Sequence, residues 1–165
     1  MADNIQVRKA RLKDAEVIAT FVNRAHPSAA LTRMEVAERF SQVGFMLAES
    51  DGQMVGLVGF QVENLVIRVT DFLIGPGIDR VATGKALVAA MEEAGSVLQA
   101  EAAILFLPPD PSSDLIEYWR MLGYERLSTA DMLHRAWREA AAEWNAQQSE
   151  AVVKQLRDEV ARKPF

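Results

Sequence analysis

The sequence predicts an α/β domain of the α+β kind: a mixed, mostly antiparallel sheet flanked by helices, with a further helix at the C-terminus. Two observations predict this fold. In the middle of the chain, three apolar segments follow one another with short turns between them, as consecutive antiparallel strands do. Before and after these segments, apolar residues recur at helical spacing. A chain of 165 residues is long enough to build one core of this kind.

The composition is that of a globular protein, with 50% hydrophobic and 25% charged residues. No apolar run reaches the roughly 18 residues of a membrane helix, and the first residues lack the apolar stretch of a signal peptide. We therefore expect a cytoplasmic protein with no membrane partner. The chain has no cysteine, and its two histidines, His26 and His134, are far apart, so we expect no structural metal. The net charge of −5 argues against broad nucleic-acid binding.

The N-terminal part predicts one strand and two helices. Residues 5–9 alternate as a short strand does, and Asp14–Asn23 has apolar residues at helical spacing. Thr32 followed by Glu35 three residues later has the spacing of a capping box, which predicts a second, short helix.

The central part predicts three antiparallel strands. Gly44–Ser50 and Gln53–Val62 are apolar runs joined by Asp51-Gly52, a pair that supplies the positive φ angles of a tight hairpin. A third run, Asn64–Ile74, alternates first and then becomes continuously apolar.

Helix and strand then alternate. The predicted elements are a helix to about residue 99, a strand over Ala102–Leu107, a helix over Asp114–Leu122 and a strand over Tyr124–Leu127. Either Ser112 or Ser113 can cap the helix that follows them.

From residue 130 onward the composition shifts to Ala, Glu, Arg, Gln and Lys, so we predict a domain over 1–135 and a helical extension over 136–165. Residues 150–162 are interpreted as a mixed, solvated helical face. Met132–Arg135 is either a last strand or part of an earlier helix start, and the sequence leaves both open.

Two tryptophans of the extension, Trp137 and Trp144, are seven residues apart and share a helical face. Two indoles on one face should dock on something. The candidates are the domain's own sheet, a second copy of the chain or another protein, so a homodimer or partner contact is a hypothesis.

Over roughly the first 135 residues, the order of elements resembles that of the GCN5-related N-acetyltransferase (GNAT) superfamily. Two local motifs add to the resemblance. The family's V-x-P followed by R/Q-x-x-G-x-G/A is similar to Ile74-Gly75-Pro76 followed by Asp79–Gly84, and Lys85–Val88 continues as the family does. Tyr118–Tyr124 resembles the family's F-Y-x-K-x-G-F. A Rossmann or flavodoxin-like fold is not favoured, because the first strand lacks a glycine-rich turn.

The physics of the first motif is that of an anion site, because a helix start leaves backbone N–H groups unpaired at the positive end of the helix dipole. The resemblance implies that acetyl-CoA binds here through its pyrophosphate. The implied cofactor-binding residues are Ile74, Arg80, Val81, Ala82, Thr83, Gly84, Lys85, Ser112 and Trp119. Arg80 and Lys85 would add positive charge. The alternative is an ordinary helix start that binds no ligand.

Acetyl transfer to an amine needs a proton acceptor, a stabilised oxyanion and a protonated leaving group. The resemblance implies Asp71 as the base, with Glu63 as a second candidate. The alternative for Asp71 is a solvated charge or an ion pair with Arg68. Trp119 stands where the family has its tyrosine acid, although an indole has no dissociable proton near neutral pH.

Two further positions depart from the family pattern. Ser112 stands where asparagine is common, and Asp79 stands where arginine or glutamine is common. A carboxylate at position 79 would repel a pyrophosphate unless it caps the helix instead. His26 is a weaker candidate on the acceptor side.

The sequence therefore predicts an acyl-CoA-dependent N-acyltransferase that acetylates a small or peptidyl amine. The alternative is a catalytically inactive GNAT-fold subunit that binds a protein partner or CoA.

Overall fold

We describe the fold from a computed structural model, which describes residues 4–128, 131–132, 134–144 and 150–157. The strands are β1 (Gln6–Lys9), β2 (Gly44–Ser50), β3 (Gln53–Glu63), β4 (Val66–Ile74), β5 (Ala102–Leu107), β6 (Glu125–Arg126) and β7 (Glu150–Gln155). The α-helices are α1 (Ala15–Ala25), α2 (Arg33–Arg39), α3 (Arg80–Val97), α4 (Ser113–Met121) and α5 (Arg135–Trp144). Two short 3-10 helices cover Leu12–Asp14 and Pro27–Ala29.

The strands form one mixed sheet in the order β1-β2-β3-β4-β5-β7-β6. β1 pairs antiparallel with β2, and β2 with β3. β7 pairs antiparallel with both β5 and β6, whereas β4 pairs in parallel with β5 through residues 66–68 and 102–104. This mixed, mostly antiparallel sheet with flanking helices confirms the predicted fold class.

By its internal contacts the chain forms two compact units. Unit 1 comprises Met1–Gln61 and Thr70–Met91, and unit 2 comprises Val62–Val69 and Glu92–Phe165. Strand β4 and helix α3 each contribute residues to both units. The predicted division of the chain at residue 135 stays a prediction.

Local sequence signals account for the elements of unit 1. The capping box forms, with the Glu35 N–H donating to Thr32 Oγ1 at 3.1 Å and the Thr32 N–H donating to Glu35 Oε2 at 3.3 Å. At the predicted hairpin, Asp51 and Gly52 have φ angles of 52° and 76°. Both predictions are confirmed.

The core of unit 1 lies between the sheet and the first two helices. Its buried residues include Ile18 of α1, Val36 of α2 and Leu47 of β2, and the rings of Phe40 and Phe45 lie 5.2 Å apart. Burial of these side chains fixes α1 and α2 against the sheet, since each large apolar side chain gains roughly 1.5–3 kcal/mol on burial.

The core of unit 2 contains the C-terminal helix. Trp137 of α5 is 4% exposed and packs with Ile104 of β5 and Val153 of β7. Trp144 is half-buried against the same cluster, and the guanidinium of Arg68 lies 5.6 Å from its ring centroid. The tryptophans therefore dock on their own unit.

The interpretation of residues 150–162 as a helical face is wrong where the structure describes them, because Glu150–Gln155 is strand β7. Ala151, Val152 and Val153 are buried, and β-branched valines suit a strand that is paired on both sides. The strand alternative for Met132–Arg135 is also wrong in its described part, since α5 begins at Arg135.

The helices in the described ranges include none with the combination of length and apolarity that crossing a membrane requires.

Candidate functional site

The first turn of α3 is the predicted anion site. Strand β4 ends at Ile74, which is buried, and the Gly75 N–H donates to the Val55 carbonyl at 2.8 Å. A Cβ at position 75 would lie 3.3 Å from the Phe21 ring, so glycine allows a close approach there. Gly77 then turns the chain with a φ of 73°, and α3 begins at Arg80.

Asp79 caps this helix. Its carboxylate oxygen Oδ1 accepts a hydrogen bond from the Ala82 N–H at 3.0 Å, and its carbonyl accepts one from the Thr83 N–H at 3.0 Å. The capping role that the sequence allowed for Asp79 is therefore present. It also means that two of the N–H groups expected to receive a pyrophosphate already have an acceptor.

Helical geometry limits the remaining candidates. In an α-helix that begins at Arg80, the N–H groups of Gly84 and Lys85 donate to the carbonyls four residues before them. Only the backbone N–H groups of the first turn therefore lack a partner within the helix. The side chains of Arg80 and Lys85 are exposed, and so is Ala82. Val81, in the same turn, is partly exposed.

Thr83 faces the protein interior instead. It is fully buried, and a Cβ at Gly56 of β3 would lie 3.1 Å from its methyl group and 2.9 Å from Leu87 Cδ1. Within the described residues, its Oγ1 has no hydrogen-bond partner. The absence of a side chain at Gly56 thus lets α3 lie close against β3, which sets the position of the first turn.

Asp71 on β4 is held by a forked ion pair with Arg39, the last residue of α2. The two guanidinium nitrogens donate to Oδ1 at 2.9 Å and to Oδ2 at 2.6 Å, and Thr70 Oγ1 donates to Oδ2 at 2.7 Å. The bond to Asp71 raises the pKa of Arg39 above its ordinary value. The side chain of Asp71 keeps 28% of its surface exposed.

The ion pair that the sequence suggested for Asp71 thus exists with a different partner: Arg39 replaces Arg68, whose guanidinium lies over Trp144. Arg39 also lies 5.4 Å from the centroid of Phe45. Sequence reasoning missed Arg39, because a contact 32 residues apart leaves no local pattern.

Three other predicted site residues, Glu63, Ser112 and Trp119, belong to unit 2, whereas His26 is exposed in unit 1. Glu63 is exposed at the end of β3. Ser112 caps α4, with its Oγ accepting from the Leu115 N–H at 3.2 Å, which confirms one of the two predicted caps. Trp119 is 2% exposed and its ring lies 5.4 Å from that of Tyr124 in an edge-to-face contact, so its observed role is packing.

Tyr124 belongs to a polar network that the sequence did not predict. Its hydroxyl donates to Glu92 Oε1 at 3.3 Å, and Lys154 Nζ lies 2.9 Å from the same oxygen. Burial, together with the charge of Glu92, raises the pKa of Tyr124 far above its ordinary value. This tyrosine therefore stays protonated at neutral pH.

No family model and no curated protein matches the chain. Solved structures do. The PaiA N-acetyltransferase of Thermoplasma acidophilum, in complex with coenzyme A, matches at a TM-score of 0.67 and 11% identity, over 92% of this chain and 99% of that chain. An acetyltransferase of the GNAT family from Staphylococcus aureus Mu50 matches at a TM-score of 0.68 and 13% identity, over 93% and 99%.

The ribosomal-protein-S18-alanine N-acetyltransferase of Escherichia coli matches at a TM-score of 0.67 and 13% identity, over 98% of this chain and 99% of that chain. These likenesses show that the chain has the fold of the GCN5-related N-acetyltransferases, as its motifs suggested. At such low identities they show the fold alone.

Proposed function

We propose that the chain is an acyl-CoA-dependent N-acyltransferase that transfers the acetyl group of acetyl-CoA to a small or peptidyl amine. The observation that carries the proposal is the likeness in fold to N-acetyltransferases over more than nine-tenths of the chain. The start of α3 supports it, because an exposed arginine is the first residue of the helix and an exposed lysine lies in its second turn. The proposal includes the expected cytoplasmic location.

The reaction assigns a task to each part of the site in unit 1. Arg80, Lys85 and the first turn of α3 would hold the CoA pyrophosphate, and Asp79 would then have to release the Ala82 N–H or tolerate the phosphate beside it. Gly84 is buried in the helix, so it would permit close packing rather than donate to the ligand.

Asp71 is the proposed base, acting directly or through a water molecule. The amine loses a proton to the carboxylate, its nitrogen forms a bond to the acetyl carbon, and the bond from that carbon to sulfur breaks. The thiolate then takes a proton from solvent. Glu63, which belongs to unit 2 and is exposed, stays a second candidate base from the sequence alone.

The test is a calorimetric titration of the purified protein with acetyl-CoA. We expect binding that Arg80→Glu weakens at least about tenfold, since the change reverses charge at the phosphate site. Arg33→Glu is the matched control, because Arg33 is likewise the exposed first residue of a helix. No binding by the wild type would contradict the proposal.

A catalytically inactive GNAT-fold subunit is the second candidate, and one observation favours it: the Asp79 carboxylate occupies part of the turn that should receive the phosphates. Absence of CoA binding, or CoA binding without turnover in a screen of amines, would support this candidate. The hypothesis of a partner contact rested on two tryptophans that needed a surface to pack against. Trp137 does not need a partner, because it is buried in its own unit. A homodimer through α5 stays a prediction, testable by sedimentation equilibrium.

A further inference from the structure

A cavity of about 600 Å³ in unit 1 is lined almost entirely by cationic side chains. Its lining residues are Arg8, Lys9, Ala10, Arg11 and Lys13. We call this cavity the basic groove. It lies along the end of β1 and the turn before α1, and the proposed acyl transfer makes no use of it.

The basic groove keeps a net positive charge, because its four cations outnumber the two carboxylates that pair with Arg8. Arg8 is neutralised, because it donates to Asp14 at 2.9 Å and pairs with Glu49. The three other cations are Lys9, Arg11 and Lys13. All three are exposed, and among the described residues none has a carboxylate within ion-pair distance. Like charges so close together repel, and here they stand on a chain of net charge −5.

The groove also offers a strand edge. β1 is the first strand in the sheet order, and in the described residues only β2 pairs with it. The outer backbone groups of such a strand can pair with an extended peptide. Arginine and lysine on an edge strand repel other basic edges, and covering them with an uncharged edge would desolvate them without compensation, so the edge favours a peptide of opposite charge.

Apolar surface adjoins the charges. Leu12, which separates Arg11 from Lys13, is 60% exposed. It could contact an apolar side chain that alternates with the carboxylates of a bound strand.

The lining argues against two other occupants. It holds no aromatic side chain, so it lacks the stacking surface with which proteins bind nucleic-acid bases. Ala10 is its single buried residue, so the lining holds no buried polar side chain around which a compact anion site could form.

We propose that the basic groove binds an extended acidic segment of a partner protein. The backbone of the segment pairs with the outer edge of β1, and its carboxylates contact Lys9, Arg11 and Lys13. This inference does not depend on the proposed acyltransferase activity, because no residue of the groove takes part in that site.

The probe is a fluorescent synthetic peptide of about eight residues in which glutamate and valine alternate, titrated with the full chain and followed by fluorescence anisotropy. We expect saturable binding that weakens with added salt. The triple variant Lys9→Glu, Arg11→Glu, Lys13→Glu should weaken it at least about tenfold. The matched control reverses three exposed arginines elsewhere that likewise form no ion pair among the described residues: Arg24→Glu, Arg33→Glu and Arg157→Glu. It should leave binding within about twofold of the wild type.

The corresponding triple change to glutamine keeps the test valid if the charge reversal fails to fold. A second peptide, N-methylated at every residue, should bind at least about tenfold more weakly, because neither of its edges can then donate a hydrogen bond to β1. Equal binding of the N-methylated peptide would overturn the proposal. So would equal displacement by tripolyphosphate or by a single-stranded oligonucleotide, or affinity that neither triple variant at positions 9, 11 and 13 changes.

Discussion

At the scale of single residues, Asp14 is a buried carboxylate whose charge contributes to stability. Arg8 donates to both of its oxygens at 2.9 Å, and the Arg11 N–H donates at 2.7 Å. The hydrogen bonds from Arg8 are the main cause that lowers the pKa of Asp14 to about 2. A carboxylate with a lowered pKa in the folded state stabilises the fold above its unfolded value near 4 and loses that contribution as the pH falls toward 2.

We therefore predict that Asp14→Asn lowers the free energy of unfolding at pH 7 by about 2 kcal/mol and that the loss shrinks steadily below pH 4. Urea unfolding at pH 7 and pH 3 measures both quantities. Asp51→Asn is the control, since Asp51 is an exposed turn residue. An equal loss of unfolding free energy at the two pH values would show that the charge of the Asp14 carboxylate does not stabilise the fold.

The role of Asp71 is also decided at this scale. If it accepts the proton of the amine, Asp71→Asn should lower kcat by about 10²- to 10⁴-fold and leave the KM for acetyl-CoA nearly unchanged. Glu49→Gln is the matched control, because Glu49 is another ion-paired carboxylate on a strand of unit 1. Full activity of the Asp71 variant would show that Asp71 is not the base and serves only as the ion-pair partner of Arg39.

At the scale of elements, Trp137 is the largest buried side chain with which α5 packs into the core of unit 2. Trp137 is 4% exposed, and in the described residues its ring N–H has no hydrogen-bond partner, although the His134 ring lies 4.4 Å away. We predict that Trp137→Ala costs about 3–5 kcal/mol of stability. Trp137→Phe should cost clearly less, because it keeps an aromatic ring and removes a buried unpaired donor.

Urea denaturation followed by circular dichroism gives both values. Trp144→Ala is the control, and it should cost less than Trp137→Ala because Trp144 is only half-buried. Similar losses for the alanine and phenylalanine variants at position 137 would mean that the N–H does have a compensating partner.

Elements with local signals could be predicted, and those made by distant pairing could not. The capping residue Thr32 and the positive-φ pair Asp51-Gly52 act within a few residues, so the pattern contains them. Strand β7 lies in a segment rich in helix-forming residues. It becomes a strand because β5 and β6 pair with it on both sides, and the paired residues are some 25 to 50 positions away in the sequence.

The same distinction applies to the candidate site. The motif after Ile74 predicts the start of α3, and the capping role of Asp79 follows from its position. The pair of Asp71 with Arg39 and the burial of Trp119 depend on tertiary packing, so the sequence could name these residues without their surroundings.

At the scale of the whole molecule, the question is whether the two compact units unfold together. Strand β4 and helix α3 each supply residues to both units, so unfolding of one unit removes part of an element that the other uses. The proposed acetyl-CoA site lies in unit 1, whereas all three tryptophans of the chain lie in unit 2. Tryptophan fluorescence therefore reports the unfolding of the unit that does not hold the ligand site.

We predict that acetyl-CoA raises the thermal midpoint seen by tryptophan fluorescence. At a concentration one hundred times Kd, mass action adds about 2.7 kcal/mol, which corresponds to roughly 5–10 °C for a chain of this size. Pantetheine, which lacks the pyrophosphate, should give little shift, and Arg80→Glu should abolish the shift while Arg33→Glu retains it. A midpoint that stays fixed while calorimetry shows binding would mean that the units unfold independently, because stabilising unit 1 would then leave unit 2 unchanged.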